Sequence, residues 1–196
     1  MDTRFLDHPR DRMIGAAVAG MRASGLSGAG ISQVIAASGA PKGSLYHYFP
    51  GGKLQLAREA LERFGEQRRQ ELDTVLAGDA PADQKIKRFF ARAAKGLALE
   101  DFRYGCAVAG VALDLDQEAG DLGILCNTLL ESWAQTVAGA LEPLPAARRH
   151  VLGRFAVSTF QGALVQVRAA RNVQPVLEAG ELLASLIRAE LSISKG

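Results

Sequence analysis

Apolar residues recur along the chain at the three-and-four spacing of one helical face, and no stretch sustains the alternate spacing of a half-buried strand. Met13, Ile14, Ala17, Val18 and Met21 form the first stripe and Gly25 stops it, which predicts a helix over Pro9 to Ser24. Ile31, Val34, Ile35 and Ala37 mark a short second helix. It ends at Ser38-Gly39-Ala40-Pro41, turn chemistry that a helix interior does not tolerate. Pro41 suits a first helical position, so a third, very short helix is expected to carry Lys42 to Phe49 and to stop at Pro50-Gly51-Gly52. Beyond Lys53, the positions Leu54, Ala57, Leu61, Phe64, Leu72 and Val75 keep the period to about Leu76, a long fourth helix.

The same period continues over Ile86 to Leu99, Cys106 to Leu113, Leu122 to Leu141, Ala146 to about Arg171 and Val176 to Leu191. Breaks fall at Gly105, at Gly120, at Pro143-Leu144-Pro145 and at Asn172 to Pro175. The fold class is all-α, without internal repeat or low-complexity segment. Gly78-Asp79-Ala80-Pro81 is the best boundary. Together with the break at Pro50-Gly51-Gly52 it divides the chain into a head over 1–52, a connecting helix over 53–78 and a C-terminal domain over 79–196.

Composition narrows the class. At 196 residues and 48% hydrophobic, the chain can bury a sizeable core in one or two domains. The start MDTRFLDHPRDR mixes both signs and breaks at Pro9, unlike a signal peptide, and Phe155 to Val167 is too short an uncharged run to cross a bilayer. A cytoplasmic protein with no membrane partner is the expectation. Cys106 and Cys126 match no metal or disulfide spacing and read as two reduced thiols.

Charge changes the picture more. The net charge is only +2, yet Arg12, Arg22, Lys42, Lys53 and Arg58 stand in a stretch with no Asp or Glu, a local balance of +5. A basic island on an otherwise slightly acidic chain suits a polyanion. Tyr46, His47, Tyr48 and Phe49 crowd into the same island although aromatics are 6% of residues.

Two short helices joined by a tight Gly-containing turn form the helix-turn-helix pattern, whose second helix enters a DNA major groove. Leu45 and Phe49, four apart, share the face turned toward helices one and two. Ser44, His47 and Tyr48 point away from it. The polar-tipped rings can pack on sugars while hydrogen-bonding phosphates. The crowding is thus a division of labour between core anchors and DNA contacts.

GISQVIAASGAPKGSLYHYFPGGK resembles the DNA-binding segment of the tetracycline-repressor (TetR) family of bacterial transcription regulators, over roughly residues 9 to 60. The resemblance implies an N-terminal three-helix head on a C-terminal helical domain that binds a small effector and dimerises. It places Ser32 near a phosphate at the start of helix two. Lys42, Gly43 and Ser44 would open the recognition helix near base edges, Tyr46, His47 and Tyr48 would contact bases and backbone, and Lys53 would meet a phosphate. Pro50-Gly51-Gly52-Lys53 is a residue longer than the family's usual Pro-Ser-Lys. A subgroup that includes the LmrA and YxaF repressors has a similar insertion.

The expected partners are therefore a double-stranded DNA operator, a second copy of the chain and a small effector. Dimerisation has support in the residues themselves. No charge falls between Arg154 and Arg168, and the last helix adds further leucines. The expected interface is Phe155, Thr159, Gly162, Ala163, Leu182, Leu183 and Leu186, an apolar surface that a symmetric copy would cover. Candidates for the effector wall are Phe90, Phe102, Tyr104, Cys106, Leu129 and Trp133, with Phe89 beside them. These are aromatic or polarizable side chains with few charges nearby, which favours a lipophilic or aromatic molecule over a sugar phosphate.

Enzyme chemistry finds no foothold. Gly28-Ala29-Gly30 lacks the third glycine and the preceding strand of a dinucleotide site, and Gly51-Gly52-Lys53 is followed by Leu54 where a phosphate loop needs Ser or Thr. His8, His47 and His150 are too scattered for a metal, and no catalytic residue or cofactor is expected. The competing class is a helical adaptor that binds another protein through residues 42 to 48. Steep weakening with salt separates a DNA reader from it, because phosphate contacts release counterions.

Overall fold

The computed structural model describes residues 8–41, 43–115, 120–142 and 144–193; Lys42 and the break residue Pro143 lie outside them. Among the described residues all regular structure is helical. The chain packs as two compact units, Met1–Glu66 with Gly105–Leu129, and Gln67–Tyr104 with Leu130–Gly196.

The first unit begins with α1 (Pro9–Ser24), which starts and stops where the stripe predicts. His8 caps it, Pro9 takes a position where a missing N–H costs nothing, and Asp11 and Arg22 complement the two ends of the helix dipole. A 3-10 turn (Gly25–Ala29) follows where periodicity predicts only a break. Then come α2 (Ile31–Ser38), α3 (Ser44–Tyr48) and the first part of α4 (Gly52–Leu76). Met13, Ala17, Met21, Leu45, Phe49, Leu56 and Leu61 are fully buried and form its core.

This unit also contains α6 (Ala107–Leu113), whereas turn chemistry assigns that segment to the C-terminal domain. Hydrogen bonds and close main-chain approach mark the seam between α1 and α6, beside the buried Ala107, Val108 and Val111. Arg22 and Gly105 exchange bonds, with the Gly105 amide donating to the Arg22 carbonyl at 2.9 Å and Arg22 Nε donating to the Gly105 carbonyl at 3.1 Å. Gly25, at φ 66°, comes so close to α6 that a Cβ there would stand 2.8 Å from the Gly110 carbonyl oxygen. Asp114, just past α6, accepts from the Ser27 amide at 2.8 Å and so holds the 3-10 turn.

The second unit is built from α5 (Ala82–Leu99), the later part of α7 (Leu122–Gly139), α8 (Ala146–Ala170) and α9 (Gln174–Ile193), with the end of α4. Along α5, Ile86, Phe90, Ala94 and Leu97 are buried, and α5 packs on α9, which packs on α8. Asp83 at the start of α5 is buried, and its Oδ2 accepts from Arg188 Nε at 2.8 Å and Nη2 at 2.6 Å. After α5 the chain turns through Asp101 and Phe102, both at positive φ. The Arg171 guanidinium bonds Asp101 at 2.7 Å and lies 6.0 Å from the Phe102 ring centroid.

Candidate nucleic-acid interface

α2 closes with Gly39 in the left-handed conformation at φ 63°, which turns the chain at once toward Pro41. The Pro41 carbonyl accepts from the Ser44 amide at 3.0 Å and from Ser44 Oγ at 2.7 Å. This pair of hydrogen bonds closes a turn ahead of the helix, and α3 starts at Ser44 rather than near Pro41. With only five residues, α3 cannot be stable by propensity and is held by packing.

Leu45 and Phe49 supply that packing, both fully buried, each contributing about 1.5–3 kcal/mol by area. The Arg10 guanidinium lies 5.3 Å from the Phe49 ring centroid and pairs with Glu59, which ties α1 to α4 over the ring. Arg12 Nε donates to the Ser38 carbonyl at 2.9 Å, so α1 also grips the C-terminal end of α2.

Of the three positions that the spacing turns away from the core, His47 is exposed while Ser44 and Tyr48 are only half-buried, and Tyr46 is 60% exposed. The rings form a row. His47 meets Tyr48 edge-on at 5.0 Å and 72°, and His8 meets the same Tyr48 ring at 5.3 Å and 73°. Ser32 is exposed in the first turn of α2, and Gly43 is exposed just before α3. Lys53 is half-buried at the second position of α4.

The basic island is less outward than its charge count suggests. Arg12 and Arg22 bond backbone carbonyls, and Arg58 Nη2 lies 3.7 Å from Asp121. The amides at the start of α4 are likewise partly engaged, since the Gly51 amide donates to Gln55 Oε1 at 2.8 Å. Part of the island's charge therefore holds the head together.

The expected dimer residues come together on α8 and α9. Phe155, Thr159, Gly162, Ala163, Leu182, Leu183 and Leu186 all line one groove of about 540 Å³. Phe155 is 50% and Leu182 74% exposed, while Ala163 and Leu183 are buried and anchor the groove floor.

The expected effector residues divide between the two units. Phe90 is buried in edge-on contact with Phe89 and Phe160, and a Cβ at Gly180 would stand 2.5 Å from its own. Trp133 is buried on α7. Leu129 fills the space a side chain at Gly65 would need. Phe102, Tyr104 and Cys106 are half-buried, and Cys106 and Leu129 belong to the first unit whereas the other four belong to the second. The thiol of Cys126 is pushed up from 9.0 to about 11, first by burial and then by the neighbouring Cys106. Among the described residues no group of side chains could hold a metal ion, and no helix is long and apolar enough to cross a membrane.

A five-residue helix locked by two buried side chains, presenting polar-tipped rings after a tight turn, is the head of a helix-turn-helix DNA-binding regulator. Residues 14–60 match the model for bacterial regulatory proteins of the tetR family, and residues 82–182 match that for the LmrA/YxaF-like C-terminal domain of transcriptional regulators. The chain belongs to the TetR family of transcriptional regulators, and it is not an enzyme.

The chain is 32% identical over 190 residues to the uncharacterized HTH-type transcriptional regulator Rv0196 of Mycobacterium tuberculosis, covering 93% of this chain and 96% of that one. It is 26% identical to the HTH-type transcriptional regulator LmrA of Bacillus subtilis, over 91% and 96% of the two chains. Among solved structures, a TetR regulatory protein from Rhodobacter sphaeroides superposes with a TM-score of 0.80 at 21% identity, covering 89% of this chain and 96% of that one. A cysteine mutant of the regulator CifR, complexed with 26 bp double-strand operator DNA, superposes at 0.77 with 20% identity, over 88% and 94%.

Proposed function

We propose that the chain is a cytoplasmic, ligand-responsive repressor that binds a palindromic operator as a homodimer and is released by a small lipophilic or aromatic effector. The observation that carries the reading is the division of α3, where Leu45 and Phe49 are buried while Tyr46 and His47 are exposed. Tyr46, His47 and Tyr48 contact bases and backbone, Lys42, Gly43 and Ser44 approach base edges, and Ser32 and Lys53 meet phosphates.

The groove on α8 and α9 supports the dimer. Leucines and a half-exposed phenylalanine around a floor of Ala163 and Leu183 suit a symmetric partner, which would bury an apolar surface otherwise left in water. Such a dimer offers two recognition helices to half-sites one helical turn apart, about 34–36 Å.

Release is a population shift. An effector held in the second unit, with Phe90, Phe102, Tyr104 and Trp133 as candidate wall residues, favours a state whose recognition helices no longer match the half-site spacing. α4 is the link, since one unbroken helix begins in the head and ends beyond Glu66 in the second unit.

The experiment is a gel-shift titration on the DNA upstream of the coding region and on a randomised duplex pool, at two salt concentrations, with Tyr48→Ala alongside. Salt-sensitive binding lost in the variant is expected. Absence of binding to any duplex at low salt would overturn the reading.

A further inference from the structure

The family match begins at residue 14, yet the row of rings on the DNA-facing side begins at His8. We infer that His8 is a positioning residue for Tyr48 on the operator, an inference that rests on Tyr48 being an operator contact.

Tyr48 is the last residue of a helix too short to restrain its own end. Its ring is half-buried, with His47 edge-on at 5.0 Å from within α3 and His8 edge-on at 5.3 Å from outside it. His47 moves with α3 and cannot fix the ring relative to the rest of the head. His8 can, because α1 fixes His8. Its Nδ1 accepts from the Arg10 amide at 3.3 Å, and its carbonyl accepts from the amides of Asp11 at 3.0 Å and Arg12 at 3.2 Å.

The imidazole therefore has two jobs on one ring. As a side-chain acceptor it completes the N-terminal cap of α1, a role that Asn fills as well. As an aromatic edge it holds the Tyr48 ring in the rotamer the operator meets, a role that Asn cannot fill and Phe can. Tyr48 is thus oriented by α1 and α3 together, before DNA arrives, so less side-chain freedom is lost on binding.

These two jobs separate by substitution in the full-length protein, read by fluorescence anisotropy on the tightest duplex the wild type selects from a randomised pool. His8→Asn is expected to melt like wild type but to bind about 3- to 10-fold more weakly, the scale of one aromatic pair. His8→Phe is expected to bind within about 2-fold of wild type despite a lower melting temperature. In a Tyr48→Ala background, His8→Asn is expected to add no further loss. The salt slope should stay as in wild type, because the lost contact is not to a phosphate.

Wild-type binding by His8→Asn, an undiminished His8 effect in the Tyr48→Ala background, or no rescue by Phe would overturn the inference. So would a salt slope lowered by about 1 in His8→Asn, which would make His8 a phosphate contact in its own right. If Tyr48→Ala itself binds like wild type, the operator role of Tyr48 falls and the inference with it. Loss in Tyr48→Ala without loss in His8→Asn overturns the inference alone.

Discussion

Gly20 and Gly28 face each other with no room for a side chain between them. A Cβ at Gly20 would stand 2.0 Å from the Gly28 carbonyl oxygen, and one at Gly28 would stand 2.1 Å from that of Gly20. The obstacle is main chain, which cannot rotate aside. Gly20→Ala and Gly28→Ala are each expected to cost at least the upper part of the ~1–3 kcal/mol typical of overpacking. Gly15→Ala, on the same helix but facing open space, is expected to be neutral or to stabilise by up to about 1 kcal/mol. Thermal unfolding followed by circular dichroism compares all three.

Burial and exposure within α3 separate folding from reading. Phe49→Ala is expected to cost about 3–5 kcal/mol and to abolish DNA binding by unfolding the head. Tyr46→Ala removes a ring that is 60% exposed, so the melting temperature should hold while operator affinity falls. Melting curves and binding isotherms on the same preparations check both.

The helical architecture was largely legible in the residues. α1 ends where Gly25 interrupts its stripe, and Leu45 and Phe49 declare themselves by four-residue spacing, because both are consequences of side-chain hydrophobicity. The 3-10 turn and the place of α6 were not legible. They depend on close approach between Gly25 and Gly110 and on backbone bonds at Gly105, and glycine carries no hydrophobic signal. The inward use of Arg12, Arg22 and Arg58 was hidden for a related reason, since a charge count does not tell which carbonyl or carboxylate lies within reach.

Leu182 is 74% exposed in the single chain, so Leu182→Arg should leave the fold intact. In a two-fold interface the same change drives two bulky cations into the apolar groove, beyond what Glu178 on the same helix can offset, and dimer affinity is expected to fall by about 100-fold. Sedimentation equilibrium with matched far-ultraviolet dichroism measures it. An unchanged dimer would place the interface elsewhere.

The Cys126 thiol sits at about 11 against an ordinary 9.0, raised by burial and then by Cys106. The folded state therefore keeps a proton that the unfolded chain loses, and this contribution to stability is complete below about pH 9 and declines as pH rises through about 11. Denaturant midpoints measured across that window should fall more steeply for wild type than for Cys126→Ala. At neutral pH, alkylation of the native protein should reach Cys106 first.

Arg171 holds a left-handed conformation at φ 49° while bonding Asp101. Arg171→Gly relieves a backbone cost of about 1 kcal/mol but loses an exposed ion pair worth about 0.2–1 kcal/mol. The two nearly cancel. A melting temperature within a degree or two of wild type is expected, and a large drop would mean that the contact with the Phe102 ring matters more than the ion pair.

The first unit is assembled from two separated lengths of chain, to Glu66 and from Gly105 to Leu129. A ribosome releases the helix-turn-helix early, but the segment that seats α1 emerges only after 67–104 has passed. A chain cut short before Gly105 thus carries every residue of the recognition helix but lacks α6 and the bonds that Gly105 and Asp114 make to Arg22 and Ser27. The finished head therefore depends on chain that lies beyond residue 104, and fragments that end earlier are expected to hold it less firmly.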